Sequence, residues 1–406
     1  MGGQRARTPR ASGEFLVSAN NLLEDLVLLR RKLHQIPEFA LHLPQTQQAL
    51  ISELEGLGEI TLGKSLSSIV LVIRGGSPGP TVLLRADMDA LHVVEETNLD
   101  FASKNGYMHA CGHDLHMSAG VGAAKLLHGI KEQLRGDVAI WFQPGEEGHH
   151  GADVMIEEGM LEITGSRPVA AYGLHVFTSL PAGTIACKPG AMMASAGDMN
   201  VVFHGSGGHG SMPWLSKDPV APMVEAISSL QTMLNKNFDQ FDPVILNVSW
   251  IRAGDDATNN VIPDTASFGA TVRTFSAVNT EKLHSLAPKL INSIAEGFGV
   301  TATIEFSEPT KVLINDEDSV ERVSKIAQEL VGSAGYMKMD SPIAGGEDFA
   351  SIVHEVPGAF VFLGACPKDI DHTTAPTNHS ARAIFDDSVI PLGSALLASL
   401  ASSHLL

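Results

Sequence analysis

The order in which apolar strands and helices alternate limits this chain to one class of fold. The segments "SSIVLVIRG", "PTVLLRADMDA", "DVAIWFQP" and "PVAAYGLHVF" have strand length and apolar, Val- and Ile-bearing composition. Between and before them, "NLLEDLVLLRRKLHQIP" and "DLHMSAGVGAAKLLHGIKEQL" place Leu, Val and Ala at helical spacing. Apolar strands that alternate with helices build an α/β domain, with a largely parallel central sheet flanked by helices. "GGSPGP" is the turn between the first two strands, and Asp114 is expected to cap the helix it opens.

The pattern changes after "ACKPGAMMASAG". From there the chain reads strand "DMNVVFHG", helix "DPVAPMVEAISSLQTMLNK", strands "PVILNVSWIRAG" and "TASFGATVRTF", helix "NTEKLHSLAPKLINSIAEGFG" and strand "TATIEFSEP". This βαββαβ order is the ferredoxin-like split unit. The α/β pattern then resumes with the helix "DSVERVSKIAQELVG" and the strand "GAFVFLGAC". The expected organisation is a first catalytic segment at 14–190, an inserted α+β domain at 191–309 and a second catalytic segment at 310–406. "VIPLGSALLASLASSHLL" is Ser-broken and is expected to be a final helix rather than a bilayer span.

Charge and cysteine content narrow the partners. Lys plus Arg number 27 against 46 Asp plus Glu, a formal charge of −19. Such a chain repels nucleic acid and anionic membranes. Three cysteines far apart form no disulfide framework and fit a reducing compartment, here the cytoplasm. The N-terminal "MGGQRARTPRASGEF" has three arginines but no apolar run behind them; it reads as a tail, not a secretory signal.

Four polar clusters follow the strands or close loops beyond them: "RADMDAL" with Asp87 and Asp89, "HACGHDLH" with Cys111 and His113, "QPGEEGHHGA" with Glu146 and Glu147, and "GLHV" with His175. His379 in "PTNHS" comes much later. In parallel α/β sheets, ligands gather outside the carboxyl ends of the strands, so these groups can meet. Thiolate, imidazole and carboxylate form the donor set of zinc and its neighbours. Cys111, His113, Glu147, His175 and His379 exceed one tetrahedral ion and suit two ions sharing a bridge. Of two adjacent glutamates, one can bind metal while the other serves as general base. Each group has a plainer reading on its own. Cys111 would be a buried filler, the glutamates a solvated pair, His175 a core histidine, and Asp87 and Asp89 a cap and a turn residue.

Taken together and in order, "RADMDAL", "HACGHDLH", "FQPGEEGHHGADVMIEEG", "GLHV", "GSGGHGSMP", "NNVIPD", "VRTF", "GGEDF" and "NHS" resemble the aminoacylase/carboxypeptidase family of di-metal amidohydrolases, peptidase family M20. The subgroup they resemble holds hippurate hydrolases, N-acyl-amino-acid deacetylases and auxin-conjugate hydrolases. The resemblance runs from about Leu22 to the C-terminus. It implies a metal-dependent amidohydrolase cleaving N-acyl-L-amino acids, with two divalent ions (Zn or Mn, with Co or Ni also accepted) and an inserted lid that serves homodimerisation. It assigns Cys111 as the bridging ligand, His113, Glu147, His175 and His379 as further ligands, Glu146 as general base, and Asp89 as the partner of a ligand, His113. His209 in "GGHGS" would stabilise the oxyanion, often from the partner subunit. Asn260 and Arg273 would hold the substrate carboxylate; without the resemblance, Arg273 reads as a surface ion pair on a strand. Glu347 in "GGEDF" would be a structural or substrate contact.

Two positions depart from the family pattern. His92 follows "DAL" where relatives carry Pro, and Trp214 follows "GGHGSMP" where they carry His or Arg. Trp214 is read either as lining an acyl pocket or as a packed lid residue. The rival activities are a dipeptidase or carboxypeptidase of the same family, a Cys111–His113 thiol hydrolase, and a non-catalytic metal-binding module.

Overall fold

Every residue of Ile69–Ile73 is buried, as is every residue of Gly358–Cys366. Strands without a polar face must be covered on both sides, and the computed structural model shows that cover. It describes residues 12–406. The arginine-bearing stretch up to residue 11, expected to be a tail, lies outside them. That expectation fails from Ser12 onward: Ser12–Asn20 is a helix, with Phe15 and Ala19 fully buried.

By internal packing the chain divides into two units, one comprising the residues up to Met192, Ile314–Ser341 and Asp348–Leu406, the other Met193–Leu313 with Pro342–Glu347. In the first unit an eight-stranded sheet runs Glu59–Leu62, Ile69–Ile73, Arg135–Gln143, Ser77–Asp87, Ala170–Pro181, Gly358–Cys366, Ile185–Cys187, Tyr336–Lys338. Its four central strands, Arg135–Gln143 to Gly358–Cys366, are mutually parallel. Antiparallel joins flank them on both sides. The first two expected strands are therefore not a hairpin; Arg135–Gln143 lies between them.

On one face, His113–His128 packs against Ser77–Asp87 and the final helix Ile390–Leu405, with Leu23–His34 and Ser12–Asn20 behind. On the other, Gly151–Glu157 and Phe349–Glu355 pack together. His113–His128 is buried along most of its length. Gly122 makes its close packing on the final helix feasible, because a Cβ there would lie 2.2 Å from Ser394 Oγ. The helix ends at His128, short of the expected residue 134, and Lys131–Gln133 is a separate 3-10 turn. Among the described residues, Asp387–Leu405 is long and apolar enough to cross a bilayer, yet 83% of it is buried inside the protein. Burying one Leu or Ile side chain contributes about 1.5–3 kcal/mol, and this helix buries Leu392, Leu396, Leu397, Leu400 and Leu405.

The second unit has the expected βαββαβ order. Its antiparallel sheet runs Val244–Ala253, Thr265–Thr274, Ser195–His204, Thr301–Phe306. Helices Val220–Asn237 and Ala277–Gly297 close its core around Val201, Phe203, Phe268, Leu283 and Ile291. Val244–Ala253 is an edge strand, exposed over its second half.

Candidate metal centre

The four parallel strands bring the expected groups to one end of the sheet. Asp87 is the last residue of Ser77–Asp87, Glu146 and Glu147 follow Arg135–Gln143, His175 lies in Ala170–Pro181, and His379 comes after Gly358–Cys366.

Cys111 and His113 flank Gly112, whose φ of 88° is the left-handed region that a glycine tolerates. A Cβ at that position would also lie 2.4 Å from Val176 Cγ2. This turn starts the helix His113–His128 without any side-chain cap. Asp114 does not cap it as expected: its carboxylate is buried against Arg30 Nε at 2.8 Å and His34 Nδ1 at 2.7 Å. Those partners outweigh the cost of burial and hold Asp114 far below the usual carboxylate range.

Backbone carbonyls orient two imidazoles. His113 Nδ1 donates to Asp89 O at 2.8 Å, and His175 Nδ1 donates to Val176 O at 2.8 Å. Each is thereby fixed with Nε2 facing inward, the arrangement seen for metal-ligating histidines. His175 Nε2 and His379 Nε2 both lie 3.2 Å from Cys111 Sγ. His379 has a φ of 70°, and its N–H donates to Ala110 O at 2.9 Å. Next to it, Asn378 Nδ2 donates to Val176 O (2.8 Å) and Cys111 O (3.2 Å). The "NHS" segment is thus tied to both the cysteine loop and the His175 strand.

Asp89 serves both the glutamate pair and the His113 ring. Its two carboxylate oxygens accept the N–H groups of Glu146 (3.0 Å) and Glu147 (3.1 Å). Its Oδ1 also stands 3.7 Å from His113 Nδ1, the nitrogen that donates to its carbonyl. Glu146 Oε2 and Glu147 Oε1 then stand 4.0 Å from His113 Nε2, and Glu147 Oε1 lies 3.2 Å from His379 Nε2.

Within the catalytic unit, four groups of donor atoms each lie within 4.8 Å of one another: Cys111, His113 and His175; Cys111, Glu147 and His379; His113, Glu146 and Glu147; and Asp87, His113 and His116. Cys111 and Glu147 each belong to two of these groups, and His113 to three. Two members lack the hydrogen bonds that burial demands. His113 Nε2 and Glu147 Oε1 are buried without a hydrogen-bond partner. Burial lowers the basicity of His113, but Asp87, Asp89 and Glu147 reverse that and raise it to about 10. Burial and the same carboxylate field push the Cys111 thiol well up. A cation relieves each of these conditions at once, and the donors fit a metal ion by chemistry and placement.

Behind this shell is a buried lattice that the sequence reading named only through Asp87. Asp87 binds Arg85 and His116 Nδ1, each at 2.5 Å. His116 Nε2 accepts the Val176 N–H at 2.8 Å, so both ring nitrogens are engaged and His116 stands outside the donor set. Arg85 also pairs with Asp348 at 2.9 Å. Asp348 accepts from Gln143 (2.8 Å) and from the Ala152 N–H (3.0 Å). Within "GGEDF" it is therefore Asp348 that anchors the site's supporting layer. A buried Arg two residues before a buried Asp was the signal available in "RADMDAL". His109 lacks any partner on either ring nitrogen, and burial drives it down to about 3, so it is neutral.

The remaining expected residues lie in the second unit. His209 pairs through its backbone with Val261, and the Gly210 N–H donates to Asn260 O at 2.7 Å, which sets Asn260 beside the His209 turn. The Ser211 N–H donates to His209 Nδ1 at 3.2 Å, leaving the exposed Nε2 as donor. Arg273 donates to the carbonyls of Ala344, Gly197 and Val272 and to Thr271 Oγ1, all neutral acceptors rather than the carboxylate of a surface ion pair. Within the single chain, Trp214 is 74% exposed.

Comparison with known proteins agrees with this geometry. The model of peptidase family M20/M25/M40 matches residues 83–403. Thermostable carboxypeptidase 1 of Saccharolobus solfataricus is 34% identical over 388 residues, 93% of this chain and 95% of its own. N-acetylcysteine deacetylase of Bacillus subtilis is 33% identical, covering 93% and 96%. An IAA-amino acid hydrolase of Arabidopsis thaliana is 33% identical, covering 94% and 85%. The solved structure of a Bacillus subtilis dinuclear metal binding peptidase from the M20 family superposes with a TM-score of 0.79 at 30% identity, covering 95% of this chain and 98% of that one. The chain is a metal-binding amidohydrolase and belongs to peptidase family M20/M25/M40.

Proposed function

We propose that this enzyme hydrolyses N-acyl-L-amino acids to a carboxylate and a free amino acid, with two divalent ions held by Cys111, His113, Glu147, His175 and His379. The observation that carries this reading is the convergence of two inward-fixed imidazoles, a third at His379, one thiol and two adjacent carboxylates, with His113 Nε2 and Glu147 Oε1 buried without a hydrogen bond. When bound, such a pair of ions acidifies water and polarises an amide carbonyl; Zn or Mn suits the donors, and Co or Ni is accepted by the same set.

The chain's own groups do the rest. Glu146, held through its N–H by Asp89, takes a proton from the attacking water and delivers it to the leaving nitrogen as the C–N bond breaks. Residues 191–309 act as lid and dimerisation domain. In the homodimer, His209 of the partner subunit donates Nε2–H to the developing oxyanion. Asn260 and Arg273 bind the substrate carboxylate, Arg273 exchanging neutral acceptors for a charged one. Trp214 faces the acyl side. The edge strand Val244–Ala253, with Ile245, Trp250 and Ile251 exposed, is the surface offered to a second copy. Three free, buried cysteines are in keeping with a cytoplasmic enzyme.

A second reading, carboxypeptidase or dipeptidase activity, draws support from the two Saccharolobus solfataricus carboxypeptidases among the relatives. A panel of N-acetyl, N-benzoyl and indole-acyl amino acids beside dipeptides separates the two. Turnover is expected on the N-acyl amino acids, lost in chelator and restored by Zn²⁺, Mn²⁺ or Co²⁺. Faster turnover of dipeptides sinks the first reading, and activity that survives complete metal removal sinks both in favour of the thiol mechanism.

A further inference from the structure

The catalytic unit carries four rings that neither its core nor its metal centre uses. His149 meets Phe39 edge-on, with centroids 5.0 Å apart and planes at 85°. Phe39 lies parallel to Tyr107 at 6.0 Å and 8°. His92 meets Tyr107 at 5.4 Å and 66°. None of the four belongs to the unit's apolar core, and Phe39 is 38% exposed.

Each ring hangs on a segment that also builds the metal centre. His149 is two residues past Glu147, so their Cα atoms are at most about 7 Å apart. Phe39 is bridged to Ala90, next to Asp89, and the Ala90 N–H donates to Glu38 O at 2.8 Å. His92 follows the same strand end, and Leu91 is bridged to Met108 beside Tyr107, on the segment leading into Cys111. The bridges at Ala90 and Leu91 therefore tie the segments of Phe39 and Tyr107 to those that carry Asp89 and Cys111.

We infer that Phe39, Tyr107, His92 and His149 form an aromatic platform that selects the acyl group of the substrate, favouring planar aromatic acyl groups over acetyl. This rests on the N-acyl-amino-acid reading given above. A stack of rings with no guanidinium or ammonium among them suits the uncharged half of such a substrate, not the half that bears a carboxylate. An incoming ring can lie on the exposed part of Phe39, edge to face with His149. The departure at His92, where the family pattern has Pro, adds the outermost ring.

The experiment compares kcat/KM for the N-benzoyl and N-acetyl forms of one amino acid, with metal-loaded enzyme. Phe39→Ala is expected to lower the benzoyl-to-acetyl ratio about tenfold, while Phe39→Trp keeps it near the wild-type value. His92→Ala, at an exposed position, is the second variant and is expected to lower the ratio in the same direction by a smaller factor. A ratio unchanged in both alanine variants, or equal losses on both substrates, overturns the platform and leaves the amidohydrolase reading standing. If the wild-type enzyme cleaves neither N-acyl substrate, that reading falls and the platform with it.

Discussion

The metal centre and the inserted domain treat their functional residues in opposite ways. In the catalytic unit, the ligand rings are fixed by backbone carbonyls, the glutamate pair by the Asp89 carboxylate, and the layer behind by a buried Arg85–Asp87–Asp348 lattice. In the inserted domain, Trp214, His209 and Asn260 are exposed, and Arg273 is satisfied by neutral oxygens of its own neighbourhood. The difference teaches where each kind of free energy is spent. Preorganised charge lowers a barrier only if it is held rigid before the substrate arrives. Groups that recognise the substrate can be loose beforehand and become ordered on binding.

That contrast can be broken at several points. The largest effect is expected from Glu146→Ala, which should keep its full metal content and lose about 10²–10⁴ in kcat; metal analysis beside turnover checks it, and near-normal turnover removes the base assignment. Next, Arg85→Met strands Asp87 and Asp348 as buried unpaired charges. It should cost about 3–5 kcal/mol of stability by urea unfolding, and a smaller loss means the lattice is less essential than its burial implies. Asp89→Asn turns one of the two acceptors facing the Glu146 and Glu147 N–H groups into a donor. A fall in turnover of about 10–100-fold is expected, and unchanged kinetics would show that the glutamate pair holds its place alone. The mildest is Arg273→Lys, which keeps the charge but loses the fork. It should raise KM about tenfold with kcat nearly kept; a fall in kcat instead would place Arg273 among the rigid groups and blur the comparison.

The side chains that the fold brings together were legible in the sequence, because each sits in a short, chemically peculiar string. A cysteine and a histidine around one glycine, or two adjacent glutamates after a buried strand, have few other uses. Strand order was less legible. Nothing in "SSIVLVIRG" says that it pairs with the distant "DVAIWFQP" instead of its neighbour, because register between non-adjacent strands is set by the assembled sheet. The same blindness hid Arg85, Gln143, His116 and Asp348. Each is polar, and only burial beside the others turns it into a support. Asp114 was misread as a cap because it stands at a helix start, while Arg30 and His34, which claim it, lie on another helix.

His379 gives the site a consequence in time. Its ring reaches Cys111 and Glu147, yet it lies far down the chain from every other donor, beyond the whole inserted domain. A ribosome delivers the cysteine loop, the glutamates and His175 long before it delivers this last imidazole. Until then the emerging polypeptide holds only part of the proposed ion-binding set. On the proposed ligand set, chain order alone completes the site only after the whole inserted domain has been made.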